Sequence, residues 1–398
     1  MRTIIAMLAM MSVAFCQPAG VKALYVTNNT TGTVTAFSVS PEGVLTTIGV
    51  YPAGNNPQDV GITANGRNLI VVNATAATIE EIYTFRINND GSLTRNNTPS
   101  TIGDGPLSLN VTASGFLLVP SATNDNLTSF NIQNDATSVI NTAAAGAFPT
   151  KVVSTGNFAY CTGTSGGPYI AKFNIAPNGA LSVIGTPTTM PNGSAQGAVV
   201  HPNGRVLYVS SALGNYVRAH TIEPDGELTM INDANSGGNS CVELAIHPNG
   251  EWLYVCNVVS DTLTVMPINP DGSLQASTQS YLIGSDIRDV ITDGQYVYVT
   301  DESTLGSSLV GVVVFRIEPN FTLTRLETYV TGGGRPQHMA LWNPPKLGDV
   351  NRDGIVDDTD LARVLEAFGT SRNIAEDLNA DGVVDDVDLA IVLENFGA

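Results

Sequence analysis

Residues 20–342 consist of short runs of apolar and alternating side chains that are separated by Gly, Asn, Asp and Pro. The run Thr33-Val34-Thr35-Ala36-Phe37-Ser38-Val39 alternates with a period of two, which is typical of a β-strand. Other runs, such as Leu69-Ile70-Val71-Val72-Asn73, are apolar and directly follow a turn. This part of the chain is therefore predicted to be all-β.

Two turn signatures recur along this part of the chain. The first precedes an apolar or aromatic strand and occurs at Asn65-Gly66, Pro202-Asn203-Gly204 and Pro248-Asn249-Gly250, with weaker copies at Gly115, Gly156 and Gly294. The second lies half a repeat later, at Pro41-Glu42-Gly43, Asn89-Asp90-Gly91, Pro177-Asn178-Gly179, Pro224-Asp225-Gly226, Pro270-Asp271-Gly272 and, degraded, Pro319-Asn320-Phe321. Asn-Gly and Asp-Gly favour tight hairpins. Each repeat thus holds four strands in about 45 residues, the size of a propeller blade.

The last strand of this region lacks a hairpin mate. It lies within Gly334–Trp342, and the following Asn343-Pro344-Pro345 stops any strand or helix. We expect residues 336–342 to pair with residues 23–28 at the other end of the chain. Such pairing would close a ring of seven blades and leave no exposed edge.

Composition agrees with a turn-rich fold and excludes some functions. Charged residues make up 13% of the chain, which holds 39 Gly and 21 Pro. The formal net charge of −19 argues against nucleic acid as a partner, because phosphates attract Lys and Arg. After the first residues no stretch reaches the roughly 20 apolar residues of a membrane span.

The N-terminus resembles a secretory signal peptide over about residues 1–19. Arg2 precedes an apolar run from Ile4 to Cys16, and Ala14-Phe15-Cys16 offers a cleavage site before Gln17. The alternatives are a buried N-terminal segment and a lipoprotein with Cys16 lipidated, which the large Phe15 disfavours. We therefore expect a secreted or cell-surface protein.

Three cysteines follow the signal peptide. Cys241 and Cys256 flank the turn at residues 248–250. If Ile246 paired with Glu251, Cys241 would pair with Cys256, because both pairs of numbers sum to 497. The sequence leaves open a cross-strand disulfide or two buried thiols. Cys161 is expected in the core.

The repeats carry a family resemblance. Tyr25-Val26-Thr27-Asn28 has the variants Tyr208-Val209-Ser210-Ser211, Tyr254-Val255-Cys256-Asn257 and Tyr298-Val299-Thr300-Asp301. With the Pro-Asn-Gly and Pro-Asp-Gly turns, they make residues 22–342 similar to the seven-bladed YVTN-repeat lactonase propellers, which include 6-phosphogluconolactonase. The resemblance implies a seven-bladed propeller and raises the possibility of lactone hydrolysis.

The first strand of each blade is expected to line the channel, so that its start faces one mouth. Aligning these starts gives the third positions Asp59, Ser108, Lys151, Gly197, Glu243, Asp289 and His338. A lactonase needs a base for water and a donor for the oxyanion. The resembled family places several His and Arg residues here. The candidates in this chain are Glu243 as base, Lys151 as oxyanion partner, Arg288 and His338, with Arg335 nearby.

Two functions follow from these candidates. The first is a non-enzymatic propeller that binds a sugar or lactone ligand at its mouth. The second is a lactone (carboxylic ester) hydrolase resembling 6-phosphogluconolactonase. The family's other His positions hold Asp59, Ser108 and Gly197 here, which favours the binding propeller. Strand alternation also predicts that Arg288 and Asp289 point to opposite faces.

Two further motifs are interpreted as structural. Gly163-Thr164-Ser165-Gly166-Gly167 matches a nucleophile elbow, which needs a helix after it. Here an apolar strand follows, so the motif is predicted to be a loop between strands. His201 and His247 occupy matching places before Pro-Asn-Gly turns and are predicted to be repeat features rather than ligands.

The composition changes after a short linker, residues 343–347. Residues 348–398 contain ten Asp, three Glu and three Arg, a net charge of −10. Two twelve-residue segments, Asp349–Asp360 and Asp377–Asp388, repeat at an interval of 28 residues with calcium-loop spacing and Gly at position 6. The predicted ligands of two Ca²⁺ ions are Asp349, Asn351, Asp353, Ile355, Asp357, Asp360, Asp377, Asn379, Asp381, Val383, Asp385 and Asp388. An acidic disordered tail is the alternative.

Each loop precedes one amphipathic helix with apolar residues at steps 3, 1 and 3: Leu361, Val364, Leu365 and Phe368, then Leu389, Val392, Leu393 and Phe396. Gly369 and Gly397 are expected to end the helices. The duplication, with Asp at position 12, resembles a type I dockerin, a small helical EF-hand-like domain. The resemblance implies a cohesin-like partner on a scaffold or cell surface. In the family, loop positions 10 and 11 help to choose that partner; here they are Asp358, Thr359, Asp386 and Val387.

Overall fold

The computed structural model describes residues 21–74, 80–96, 100–102, 104–133, 136–190, 194–302, 310–351, 355–371, 374–379 and 381–397. The predicted signal peptide and the predicted calcium ligand Asp353 lie outside these residues. Within them, no helix has the length and apolar character needed to cross a membrane.

Seven antiparallel sheets form the blades of a β-propeller, as the sequence predicted. The first described strands are β1 (Ala23–Asn28), β2 (Thr33–Val39) and β3 (Leu45–Pro52). Blade 1 holds β4 (Pro57–Ile62), β5 (Asn68–Asn73), β6 (Glu80–Ile87), β7 (Leu93–Arg95) and β8 (Ser100–Ile102). Blade 2 holds β9 (Asn110–Val111), β10 (Phe116–Ser121), β11 (Asn126–Gln133) and β12 (Ala136–Ala144). Blade 3 holds β13 (Pro149–Thr155), β14 (Phe158–Gly163), β15 (Tyr169–Ile175), β16 (Leu181–Val183) and β17 (Thr188–Thr189).

The remaining blades follow in chain order. Blade 4 holds β18 (Ala195–Val200), β19 (Val206–Ser211), β20 (Tyr216–Ile222) and β21 (Leu228–Asn235). Blade 5 holds β22 (Cys241–Ile246), β23 (Trp252–Asn257), β24 (Thr262–Pro267) and β25 (Gln279–Leu282). Blade 6 holds β26 (Ile287–Thr292), β27 (Tyr296–Asp301), β28 (Gly311–Ile317) and β29 (Leu323–Val330). Blade 7 is β30 (Pro336–Trp342) together with β1, β2 and β3.

Blade 7 joins the two ends of the ring. Its strand order is β3-β2-β1-β30, and β30 is antiparallel to β1. The register places Ala23 opposite Trp342 and Tyr25 opposite Ala340. The predicted closing strand is therefore confirmed, with the bounds that the sequence indicated.

The tyrosines that follow the first turn signature contact the second turn signature of the neighbouring blade. In three blades the Tyr of the second strand donates its hydroxyl hydrogen to the carbonyl of the glycine in the next blade's second turn. These bonds are Tyr25 to Gly91 at 3.0 Å, Tyr160 to Gly226 at 3.2 Å and Tyr208 to Gly272 at 2.9 Å. In blade 5 the corresponding turn glycine of blade 6 is replaced by Phe321, and the buried hydroxyl of Tyr254 has no partner among the described residues. The repeat spacing is thus set by contacts between blades.

The first turn signature also links neighbouring blades. His201 Nε2 and His247 Nε2 lie 2.9 and 3.1 Å from the carbonyl oxygens of Gly250 and Gly294 in the next blade. Each Nδ1 accepts a backbone N–H of its own turn, so Nε2 carries the proton and donates. Trp342 Nε1 donates to the Gly66 carbonyl in the same way, at 2.6 Å. The two histidines are therefore structural, as predicted.

The apolar core lies between adjacent blades, and this placement decides whether Cys241 and Cys256 form a disulfide or remain buried thiols. Cys256 packs with residues of blades 5 and 6, whereas Cys241 packs with residues of blades 4 and 5. The turn sets Ile246 opposite Leu253, so the predicted register with Glu251 was wrong, and a bulge between Cys241 and Leu244 then sets Cys241 opposite Asn257. The two thiols lie on opposite faces of the sheet and are free. Cys161 is buried in the core between blades 2 and 3, as expected.

The C-terminal part holds two helices, α1 (Asp358–Glu366) and α2 (Asp386–Glu394), each capped by the preceding Asp in a capping box. Gly369 and Gly397 follow the helices in the left-handed conformation, at φ +81° and +79°. Their N–H groups donate to Val384 and Val356 of the opposite loop, which ties the two halves together.

The predicted apolar stripes of the two helices are only half buried. Val364 and Val392 are fully buried in the small core of this domain. The side chains that were expected beside them but are largely exposed are Leu365, Phe368, Leu393 and Phe396. A domain with two short helices has too little opposing surface to cover both edges of each stripe.

Tyr208 and Tyr254 allow a matched test of the hydrogen bonds between blades. We expect Tyr208→Phe to lower the free energy of unfolding by about 1 kcal/mol, because it removes a buried hydrogen bond. Tyr254→Phe should leave stability unchanged or raise it, because that hydroxyl is buried without a partner. Chemical denaturation of both variants measures the difference, and equal losses would contradict the assignment.

Candidate functional site

A bulge shapes the start of the innermost strand in six blades. The freed N–H at the third position donates to a hydroxyl of the neighbouring second strand: Lys151 to Thr162, Gly197 to Ser210, Asp289 to Thr300 and His338 to Thr27. These hydroxyls belong to the Tyr-Val-Thr motif and its variants. The motif thus fixes the backbone of the channel mouth, and bulges commonly redirect side chains at such places.

The seven residues at the third position divide into groups with different contacts. Asp59 accepts the N–H of Leu109 in the next blade at 2.9 Å, and Asp289 accepts that of Met339 at 2.8 Å. Ser108 Oγ accepts the N–H of Val152 at 3.4 Å. These three side chains therefore join adjacent inner strands.

Gly197 at the equivalent position of blade 4 has no room for a side chain. A Cβ atom there would lie 2.0 Å from the Val242 carbonyl oxygen of blade 5. The close approach of two inner strands therefore requires glycine. The family's His cannot occupy this position without moving the neighbouring backbone.

The remaining three residues meet across the channel. Lys151 Nζ is 3.2 Å from Glu243 Oε2, and His338 Nε2 is 3.7 Å from Glu243 Oε1. His338 Nδ1 donates to the Gln58 carbonyl at 2.6 Å, which directs Nε2 toward the carboxylate. Their side chains are 14 to 17% exposed, so the cluster is accessible but mostly buried.

The charges of this cluster control its protonation. Burial by itself lowers the pKa of His338, but Asp59, Glu243 and Asp289 outweigh it and raise the pKa to about 9. Burial raises the pKa of Glu243, but Lys151 and His338 together lower that pKa by more, so its net shift is downward. Burial, with Glu243 and Asp59, raises the pKa of Asp289 to about 6. At neutral pH, Glu243 is ionised and lies between two cations.

Arg288, the fourth candidate, is not part of this cluster. Its Nε lies 3.3 Å from Glu302 Oε1, and Arg335 Nη2 lies 3.1 Å from Glu302 Oε2. Gln337 also donates to Glu302, which is almost fully buried. The structure therefore brings together three of the four candidate residues and holds Arg288 in a separate group at the same end of the channel.

Sequence reasoning missed several residues of the mouth. Glu302 directly follows the Tyr298–Asp301 motif, but no repeat signature marks a carboxylate that binds two arginines. Gln58 acts through its backbone carbonyl, which any residue type supplies. Thr27 could have been found, because it belongs to the quoted motif and exchanges hydrogen bonds with His338.

The G-x-S-x-G segment forms a loop. It connects the end of β14 with β15, and a strand follows it as predicted. An apolar surface pocket of about 460 Å³ lies beside it, lined among others by Ser165, Tyr169 and Met190. The described residues that line this pocket include no carboxylate, histidine or lysine, so none of them is a base for Ser165.

The acidic loops of the C-terminal domain are held by their twelfth residues. Asp360 Oδ1 accepts the N–H groups of Val350 and Asn351, and Asp388 Oδ1 accepts those of Leu378 and Asn379. In the described part of the two loops, no three His, Cys, Asp or Glu side chains converge on one point. The spacing alone did not predict this structural role of position 12.

The second acidic loop, Asp377–Asp388 (loop 2, after loop 1 at Asp349–Asp360), nevertheless fits a calcium ion in one respect. Asp377, its first residue, is fully buried, and its Oδ1 has no hydrogen-bond partner among the described residues. Burial is the main reason that the pKa of Asp377 rises to about 6, with Asp388 as a second cause. A buried carboxylate oxygen without a donor is suited to a hard cation, and oxygen is the ligand that Ca²⁺ prefers.

The predicted partner-selecting residues are accessible. Asp358 and Thr359 lie exposed in the first turn of α1, and Asp386 and Val387 lie exposed in the first turn of α2. Leu365 on α1 and Phe368 just after it are exposed apolar residues, and their counterparts 28 residues later are Leu393 on α2 and Phe396 just after it. Both helices therefore present similar surfaces.

These features define a seven-bladed propeller with a polar channel mouth, joined to a duplicated loop–helix domain. Two family models match parts of the chain: residues 158–289 match "Lactonase, 7-bladed beta-propeller", and residues 347–396 match "Dockerin type I domain". The resemblances predicted from the sequence are thereby confirmed. A comparison with curated proteins found no match.

Solved structures share the propeller fold. A putative 6-phosphogluconolactonase from Bacteroides uniformis is 18% identical with a TM-score of 0.71, covering 81% of this chain and 99% of its own. A periplasmic gluconolactonase from Pseudomonas aeruginosa is 17% identical with a TM-score of 0.68, covering 82% and 100%. Hydrazine synthase from Kuenenia stuttgartiensis is 14% identical with a TM-score of 0.58, covering 82% and 100%. At these identities the likeness establishes the fold and not an activity.

The His338 cluster predicts a specific dependence of stability on pH. A folded-state pKa of about 9 exceeds the ordinary value of 6.5, so His338 stabilises the fold fully below pH 6.5. We expect this contribution to disappear as the pH rises to about 9, and His338→Gln to abolish that part of the decline. Asp289 titrates in a lower window, between 3.8 and about 6. Denaturation across pH 6 to 10 and NMR titration of His338 check this; a measured His338 pKa of 6.5 or below would contradict it.

Proposed function

We propose that the protein is a secreted propeller that binds a sugar acid or lactone at its channel mouth. A calcium-loaded, dockerin-like tail would attach it to an extracellular or cell-surface assembly. The proposed parts are a signal peptide at 1–19, the propeller at 20–342, a linker at 343–347 and the tail at 348–398.

The observation that carries the binding role is the pairing of Glu243 with Lys151 and His338. A general base works best when its pKa lies near the operating pH. Glu243 has a lowered pKa because two cations flank it, and His338 is protonated at neutral pH, so neither is suited to remove a proton from water. The cluster is better suited to hold a polar ligand than to activate a nucleophile.

The cations of the mouth favour a ligand that carries a carboxylate. Lys151, His338, Arg288 and Arg335 face the carboxyl groups of Glu243, Glu302, Asp59 and Asp289, so basic and acidic groups are equal in number. Asp59 and Asp289 are buried and also accept backbone N–H groups. The basic side chains can still donate charge-assisted hydrogen bonds to the carboxylate of a ligand.

A second function, lactone hydrolysis, is favoured by the convergence of Lys151, Glu243 and His338. An ammonium group beside a carboxylate resembles an oxyanion partner beside a base. The related lactonase propellers have the same fold, but Arg288 is bound to Glu302 and does not join the three residues. We therefore rank this function second.

The tail is proposed to bind two Ca²⁺ ions through Asp349, Asn351, Asp353, Ile355, Asp357 and Asp360 of loop 1 and Asp377, Asn379, Asp381, Val383, Asp385 and Asp388 of loop 2. When bound, the ions would neutralise carboxylates that otherwise repel one another. Cohesin-like recognition is proposed through Asp358, Thr359, Asp386 and Val387. Their exposure beside the apolar residues of α1 and α2 supports this role.

One set of variants separates the two functions of the mouth. We expect gluconate to bind the wild-type chain and to bind Lys151→Gln more weakly, because a cation is lost. Arg316→Gln, on β28 and paired with Glu318, is the control and should bind normally.

Hydrolysis of glucono-δ-lactone should be equal in wild type and Glu243→Gln. A hundredfold loss in that variant, about 2.7 kcal/mol of transition-state stabilisation, would make the protein an enzyme. Absence of gluconate binding together with equal rates would remove both functions from this mouth.

Calcium binding gives an independent prediction for the tail. Titration calorimetry of the full chain should find two ions, with one lost in Asp349→Ala and one in Asp377→Ala. Chelation should lower the thermal unfolding midpoint of α1 and α2 but leave that of the propeller unchanged, since a domain of about 50 residues has a small core and gains much of its stability from a staple such as metal. Asp225→Ala, in an exposed turn of blade 4, should retain both ions. A wild-type chain that binds no calcium would contradict the prediction.

A further inference from the structure

Arg67 lies where the tail leaves the ring. It follows Gly66 in the turn between β4 and β5 of blade 1. The carbonyl of Gly66 accepts the indole N–H of Trp342, the last residue of the closing strand. The first calcium-type loop begins seven residues later, at Asp349. The closing strand therefore brings this turn and the C-terminal domain together.

The Arg67 side chain reaches the second calcium-type loop. Its Nη2 donates to the carbonyl of Leu378, which is position 2 of loop 2. The carboxylates of Asp377 and Asp388, at positions 1 and 12 of the same loop, lie within electrostatic range of the guanidinium. Among the described residues, Arg86 on β6 is a further charged group that acts on Arg67. A propeller cation is thus directed at the carboxylates proposed to hold calcium.

We propose that Arg67 couples calcium binding in loop 2 to docking of the tail on the propeller, and that each weakens the other. The inference rests on the proposed calcium function of the tail. A guanidinium and a Ca²⁺ ion that share the same carboxylates repel each other, and partial burial weakens the screening of that repulsion. Coupling is reciprocal, so calcium in loop 2 loosens the Arg67 contact by the factor by which Arg67 weakens calcium binding.

The coupling predicts a difference between the loops. Arg67 contacts loop 2, where the Oδ1 of Asp377 is buried without a hydrogen-bond partner among the described residues. Calcium would therefore enter loop 2 against a fixed positive charge that the propeller supplies.

The test titrates loop 2 alone in the full chain, with calcium as the probe and Asp349→Ala present to remove loop 1. Adding Arg67→Gln should tighten calcium binding about fivefold or more, the lower end of ordinary coupling between sites. Arg67→Lys retains the charge and should remain close to the parent. The matched control is Arg205→Gln, because Arg205 occupies the same place in the equivalent turn of blade 4 and is exposed.

Hydrogen exchange supplies a second readout. Saturating calcium should increase exchange of the backbone around residues 65–69 in the parent chain and leave it unchanged in the Arg67→Gln variant. Equal calcium affinity in the two chains would overturn the coupling. Weaker binding in Arg67→Gln would also overturn it, since Arg67 would then organise the loop for calcium. A chain that binds no calcium at all would instead remove the proposed calcium function itself.

Discussion

The backbone hydrogen bonds between β1 and β30 hold both ends of the propeller in one sheet, and the rest of the ring depends on them. Each blade packs its apolar face on the next, so an open ring would leave two faces and two strand edges in water. Closure instead makes every blade an internal one. It also places Trp342 against Gly66, and thereby fixes where the chain leaves the ring. The position of the tail is a consequence of how the propeller closes.

Closure of the ring does not by itself position the side chains of the channel mouth; the bulges in the inner strands do this. A bulge frees one backbone N–H at the start of an inner strand, and a Thr or Ser hydroxyl from the neighbouring strand accepts it. Most of these hydroxyls then donate to a carbonyl of the next blade, as Ser210 does to Val242. The Tyr-Val-Thr motif and its variants therefore supply hydrogen bonds between neighbouring blades around the mouth. Lys151, Glu243 and His338 meet because this framework aims them inward.

The sequence predicted the architecture because turns and alternation are local properties with a fixed period. It failed on register: a count from the turn paired Cys241 with Cys256, but the turn pairs Ile246 with Leu253 instead of Glu251, and the bulge in β22 then sets the two cysteines on opposite faces. It also could not find Glu302, whose role arises from two arginines brought together by folding. The exposed half of each helix stripe was missed because periodicity shows which residues share a face, but not whether anything covers that face.

The propeller is stabilised by apolar burial, whereas the tail requires compensation of its negative charge. The two contributions meet at the contact between Arg67 and loop 2. The propeller buries large apolar surfaces between blades, whereas the tail has one small core around Val356, Val364 and Val392 and carries a net charge of −10. We expect such a domain to depend on cations that offset its carboxylates. The propeller offers one cation, Arg67, at loop 2. A guanidinium that satisfies a loop carbonyl supports the loop in the absence of metal, and in the proposed coupling it would oppose the metal for the same electrostatic reason. We therefore expect the packing of the tail on the propeller and the binding of calcium to depend on each other.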